Sequence, residues 1–144
     1  MPTLHTPGAI NVTPTKITDT MDHNLIKPVS ESEIFAMLKE MGPSKAPGID
    51  SMTALFFQTY WTTIGADVVA AIKSFFHTSH LLRSTNLTLI TLIPKVGCPV
   101  RSNQFKHISL YNVSYKIITK ILANRLRPIL PLIISKNQSG FVGG

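Results

Sequence analysis

Beyond Asp67 the sequence contains no acidic residue. All seven carboxylates, Asp19, Asp22, Glu31, Glu33, Glu40, Asp50 and Asp67, fall in the first half of the 144 residues. From Val68 to Gly144 stand ten Lys or Arg (Lys73, Arg83, Lys95, Arg101, Lys106, Lys116, Lys120, Arg125, Arg127, Lys136), and the formal net charge is +7. Such one-sided charge favours a polyanionic partner through phosphate contacts and counterion release; the plainer alternative is a solvated basic surface. The same gap excludes a chemistry. Two-metal phosphoryl transfer holds its divalent cations on carboxylates, and the basic half has none.

Cysteine is nearly missing as well. Cys98 stands alone, which excludes an internal disulfide and a Cys-rich zinc site. Of the five histidines (His5, His23, His77, His80, His107), only His77 and His80 have ligand-like spacing. With no acid or Cys beside them, they read as cations at a helix C-terminus, and no hydrolase triad is visible. The first twenty residues hold no apolar stretch, so no signal peptide is expected. The strongest apolar run, residues 87–93, is far too short to span a bilayer. An intracellular protein of nucleus or cytoplasm is expected, neither secreted nor membrane-bound. Apolar residues make up 44% of the chain, enough for one core.

Residues 1–29, rich in Thr and Pro, read as an extended or partly disordered lead-in. Ser30-Glu31-Ser32-Glu33 fits a capping box, and Ile34, Leu38 and Met41 follow at helical spacing, which predicts a helix over 31–41 stopped by Gly42-Pro43. A second helix is expected over 52–61, with Leu55, Phe56 and Tyr60 on its apolar side. Gly65 is expected to break the pattern before a third helix over 66–79, presenting Val68, Ile72, Phe75 and Phe76 with Asp67 at its positive end. Residues 87–93 predict a strand ending at Pro94, and 105–110 a second, antiparallel one. A long helix over 113–130 then places Lys116, Lys120 and Arg127 in a narrow basic arc with Asn124 beside it; Ile117, Ile118, Ile121 and Leu122 lie opposite. Arg125 projects into the apolar arc, and structural satisfaction by a partner is the favoured explanation.

Six segments, in order, resemble the reverse transcriptases of non-LTR (LINE-type) retroelements, plant members especially. Lys45-Ala46-Pro47-Gly48-Ile49-Asp50 resembles a K-A-P-G-x-D-G block, with Ser51 in place of the usual Gly. Phe56-Phe57-Gln58-Thr59-Tyr60-Trp61 with Gly65 resembles the next stretch. Leu89 to Lys95 matches I-T-L-I-P-K, and Phe105 to Val113 resembles F-R-P-I-S-L-x-N-V. Tyr115 to Leu126 matches Y-K-I-x-x-K-x-L-A-N-R-L, and Gln138-Ser139-Gly140-Phe141-Val142 matches Q-S-x-F-V. Each motif is weak alone; six in order are specific.

The resemblance implies a truncated right-hand polymerase: an α+β, mostly helical fragment covering fingers and partial palm over 30–144, with a fingers-type antiparallel hairpin. It implies that Lys95 and Lys106 lie near the triphosphate of an incoming deoxynucleotide. It also makes Lys116, Lys120 and Arg127 candidates for contact with an RNA or DNA template-primer, a solvated helix face being the alternative. Lys45, Pro47, Gly48 and Asp50 are read as shaping a turn, and Asn124, Arg125, Gln138 and Phe141 as motif positions of structural role. Two departures touch the nucleotide site. Lys106 stands where the family has Arg and loses the bidentate fork, and His107 replaces a Pro that constrains the backbone. The family's catalytic carboxylates would lie beyond Gly144, so this chain is expected to hold no cofactor and to be inactive alone, although an intact family enzyme needs Mg²⁺. Two other readings stand beside this one: a small basic nucleic-acid-binding module, and a non-functional remnant of a decayed retroelement.

Overall fold

A computed structural model of the protein describes residues 17–134. The described residues fall into two units, residues 28–123 and a smaller one that holds residues 17–27 and 124–134.

In the larger unit, helix α2 (Glu31–Lys39) starts on Ser30, whose hydroxyl accepts from the Glu33 N–H at 3.1 Å, as the capping pattern predicts. Ile34, Met37, Leu38 and Met41 are buried. Helix α3 (Ala54–Thr59) starts on Thr53, which accepts from the Phe56 N–H at 3.4 Å. Its buried face is not the expected one. Ala54 and Phe57 face the core, while Leu55 and Tyr60 remain 53% and 52% exposed. A polar contact fixes this rotation: the Gln58 amide donates to the carbonyls of Leu38 and Met41 at 2.9 and 3.1 Å. Carbonyls at a helix C-terminus have no partner inside the helix, and Gln58 supplies one.

Gly65 does not break a helix. It is buried inside α4 (Trp61–Thr78), which begins five residues before the expected start and places Asp67 mid-helix. A Cβ at Gly65 would sit 2.9 Å from Trp61 Cε2. The glycine thus makes room for the indole, which stacks on Phe35 with centroids 4.9 Å apart. Aromatic stacking contributes roughly 0.5–1.5 kcal/mol beyond burial, enough to offset the ~1 kcal/mol helix penalty of glycine. Val68, Val69 and Ile72 are buried, with Phe75 and Phe76 packed partly against the core.

The expected strands form and pair. β1 (Thr88–Pro94) and β2 (Phe105–Tyr111) make an antiparallel hairpin in the register Leu89↔Leu110, Ile93↔Lys106, Pro94↔Phe105. The fold is therefore α+β, mostly helical with one hairpin. Helix α5 (Val113–Leu126) follows and buries Val113, Ile117, Ile118 and Ile121 in the same core as α2, α3 and α4. It ends four residues before the expected limit. Pro128 disfavours helical geometry at Arg127 and lacks an N–H, so the chain turns and resumes as the short α6 (Leu130–Ile133).

In the smaller unit, residues 19–26 are helical rather than extended. Helix α1 (Asp19–Ile26) is capped by Thr18, which accepts from the Met21 N–H at 3.3 Å. Asp19 and Asp22 stand in its first turn, where the helix dipole favours them. None of its residues is buried, so it has no apolar stripe for periodicity to detect. The Arg125 guanidinium donates to the carbonyls of Leu25 at 3.0 Å and Lys27 at 2.7 Å. The cation in the apolar arc is thus satisfied structurally. Residues 1–16 of the lead-in, and Gln138 and Phe141 of the last motif, lie outside the described residues.

Candidate functional site

The predicted site residues of the larger unit fall into two places of opposite character. The first is the hairpin. Lys95 extends the ladder by one residue, its N–H donating to the Gln104 carbonyl at 2.8 Å. Lys106 faces Ile93 across the strands, and side chains two apart share a face. Lys95 and Lys106 therefore lie on one face of the hairpin, and both are exposed. The tip between them is held by side chains. Lys95 Nζ donates to the Asn103 carbonyl at 3.1 Å, and Gln104 Oε1 accepts from the N–H groups of Val100 and Arg101 at 2.7 and 2.9 Å. Lysine has three donors, so Lys95 keeps capacity for an anion.

The ladder also shows why His107 can stand at a position where the resemblance implies a proline. The Lys95–Gln104 bond sets the alternation: even-numbered β2 residues bond to β1, and the His107 N–H points to the outer edge. A proline there removes no ladder bond, so exchanging it for histidine leaves the pairing intact.

The second place is the junction between β2 and α5, against which residues 45–50 are packed. Gly48 is buried, and a Cβ on it would collide with Asn112 Oδ1 and the Asn112 backbone nitrogen. Asn112 is 7% exposed; its Nδ2 donates to the Ser84 carbonyl at 3.3 Å, and its Oδ1 has no hydrogen-bond donor. No side chain fits between the residue-48 backbone and that oxygen, so the position requires glycine. Lys116 Nζ donates to the Ala46 carbonyl at 2.7 Å and ties the loop to α5. Burial holds the Lys116 ammonium below the ordinary lysine pKa; Asp50 opposes that shift, and Lys45 adds to it. Asp50 Oδ1 accepts from the Met52 N–H at 3.1 Å across the turn. Ser51 sits in the left-handed region at φ 58°. That geometry favours glycine, the residue that the resemblance implies at this position.

Lys120 pairs with Glu40 at 2.8 Å, so both lysines of the α5 basic arc in this unit are engaged inside the fold. Lys45, Lys116, Lys120 and Glu40 line a pocket of about 300 Å³ with Met41, Ala54 and Val113. Arg127 belongs to the smaller unit, past the end of α5. Residues that sequence reasoning missed are Gln58 and Asn112, because a polar residue inside an apolar motif carries no periodic signal.

Among the described residues no group of three or more His, Cys, Asp or Glu is placed to hold a metal ion. His77 lies in the last turn of α4, and His80 Nδ1 is 2.8 Å from the Thr78 carbonyl. No described helix is long and apolar enough to cross a membrane.

No family model matches the chain. It is 30% identical over 128 residues to the "Transposon TX1 uncharacterized 149 kDa protein" of Xenopus laevis, an alignment covering 89% of this chain and 10% of that protein. The chain thus spans about a tenth of the relative's length. The likeness supports an origin in a transposable element.

Proposed function

We propose that the chain is a fingers and partial-palm piece of a LINE-type reverse transcriptase, whose hairpin presents Lys95 and Lys106 to the triphosphate of an incoming deoxynucleotide. The observation that carries this reading is the strand register, which brings two cations from separate motifs onto one exposed hairpin face. The order of the motifs and the transposon likeness support it independently. Two ammonium groups so placed neutralise phosphate charge and orient a leaving group. The cation-rich half then faces an RNA or DNA template-primer. Gripping that template through α5 requires Lys120 to leave Glu40 and Lys116 to leave the loop, which also weakens the reading as an independent binding module.

Alone, the chain does not polymerise. No acid follows Asp67, Glu40 is held by Lys120, and Asp50 closes its own turn. The residues present do not fit a magnesium pair, and no step through one follows from them. Primer extension on an RNA template with Mg²⁺ tests this: no product is expected, and extension by the 144-residue chain contradicts it. Binding to an RNA–DNA hybrid is expected to weaken steeply with salt, and a flat salt dependence counts against the template-primer reading.

A further inference from the structure

The hairpin has a second property, independent of any nucleotide. Every residue of β1 is exposed, and among the described residues only one edge of this strand is paired, in a two-stranded sheet. Leu89, Ile90, Leu92 and Ile93 are 46%, 64%, 59% and 45% exposed. An isolated two-stranded hairpin is marginal in water, and an uncharged, apolar strand edge is a template for another strand. Natural edges are usually blunted by lysine, proline or a bulge. Between Thr88 and Ile93 this edge has none of the three.

We infer that β1 is a self-pairing edge, on which a second copy of this chain docks antiparallel about a twofold axis at Thr91. The residue order selects this register. With Thr91 opposite its own copy, Ile90 meets Leu92 on one face of the sheet, and Leu89 meets Ile93 beside the Thr91 pair on the other, so apolar faces apolar on both sides. The backbone agrees. The Lys95–Gln104 bond turns odd-numbered β1 amides toward β2, so those of Ile90 and Leu92 point outward, and these two exchange N–H···O=C bonds across the axis.

Charge allows the approach. The chain carries +7, yet the paired segment carries none. Lys95 of each copy lies four residues from the axis, about 14 Å at strand spacing, beyond the screening length of about 8 Å at physiological salt. A single strand edge buries less than the ~1,200 Å² of a stable interface. The association is therefore reversible and concentration-dependent.

Sedimentation of the whole chain over a concentration series tests this. A monomer–dimer equilibrium is expected, with Ile90→Lys raising the dissociation constant about tenfold or more. Leu92→Pro removes only an outward N–H and acts the same way if Ile90→Lys disturbs folding. Register is read by cross-linking in a Cys98→Ser background with oxidised glutathione. Thr91→Cys meets its own copy in a non-hydrogen-bonded pair at about 4.5 Å between Cα atoms, within disulfide reach, and yields a covalent dimer. Ile93→Cys faces Leu89 of the second copy and stays monomeric. A monomer at every concentration overturns the inference. So does association that is indifferent to both edge variants, or equal cross-linking at both positions, which marks unspecific aggregation.

Discussion

The hairpin and the β2–α5 junction use lysine for opposite ends. On the hairpin, Lys95 and Lys106 are exposed and share a face, and Lys106 stands on a strand that covers little. At the junction, Lys116 ties a loop to a helix and Lys120 pairs with Glu40. Both pairs stand in the acid-free half, and composition makes them equivalent. The difference lies in what the chain packs beside them: open solvent at the hairpin, the loop and end of α2 at the junction. A cation-rich half is thus part interface and part internal fastening.

The largest expected effect separates the two regions by one methyl group. Gly48→Ala forces a Cβ against the Asn112 side-chain oxygen and backbone nitrogen. A loss of about 3 kcal/mol or more is expected in urea denaturation, since neither neighbour can move without opening the junction. The same change at Gly97, near the hairpin tip, meets nothing within 4 Å and is expected to stay within about 0.5 kcal/mol. Equal losses at both sites erase the distinction.

Proline sharpens the ladder side of the comparison. Ile108→Pro removes an N–H directed at β1 and is expected to cost about 3 kcal/mol. His107→Pro has its N–H at the outer edge and is expected to be close to neutral, within about 1 kcal/mol. Smaller again is Lys116→Met, which loses the Ala46 bond at a cost of about 1–2 kcal/mol, whereas Lys106→Met leaves thermal stability unchanged. Ser51→Gly relieves the left-handed backbone and is expected to stabilise by about 1 kcal/mol.

Lys116 also has a pH signature. Its ammonium is disfavoured by burial, so between its folded pKa and the ordinary lysine value the unfolded chain binds more protons. Stability contributed by this group therefore rises with pH through that window. Side-chain NMR titration is expected to place the Lys116 midpoint below the ordinary lysine value, and an ordinary midpoint contradicts its burial.

Much of this was legible in the residues. The Ser30 cap, the buried Ile34, Leu38, Ile72 and Ile117, and the strand pair follow from local spacing and propensity. What escaped was set by contacts distant in sequence. Gln58 turns α3 so that Leu55 faces solvent, Trp61 fills the space at Gly65, and α1 has no apolar stripe to reveal it. At the site, spacing showed which cations share a face of α5. It did not show that Glu40 and the Ala46 carbonyl would occupy two of them.

The most direct test is a deoxynucleoside triphosphate titration of the whole chain beside Lys106→Met and Lys116→Met, each checked to be folded. Saturable binding is expected, weakened by about tenfold in Lys106→Met, the order expected for loss of one charge-assisted phosphate contact, and unchanged in Lys116→Met. Equal weakening by both variants, or dependence on Lys116 alone, contradicts that expectation.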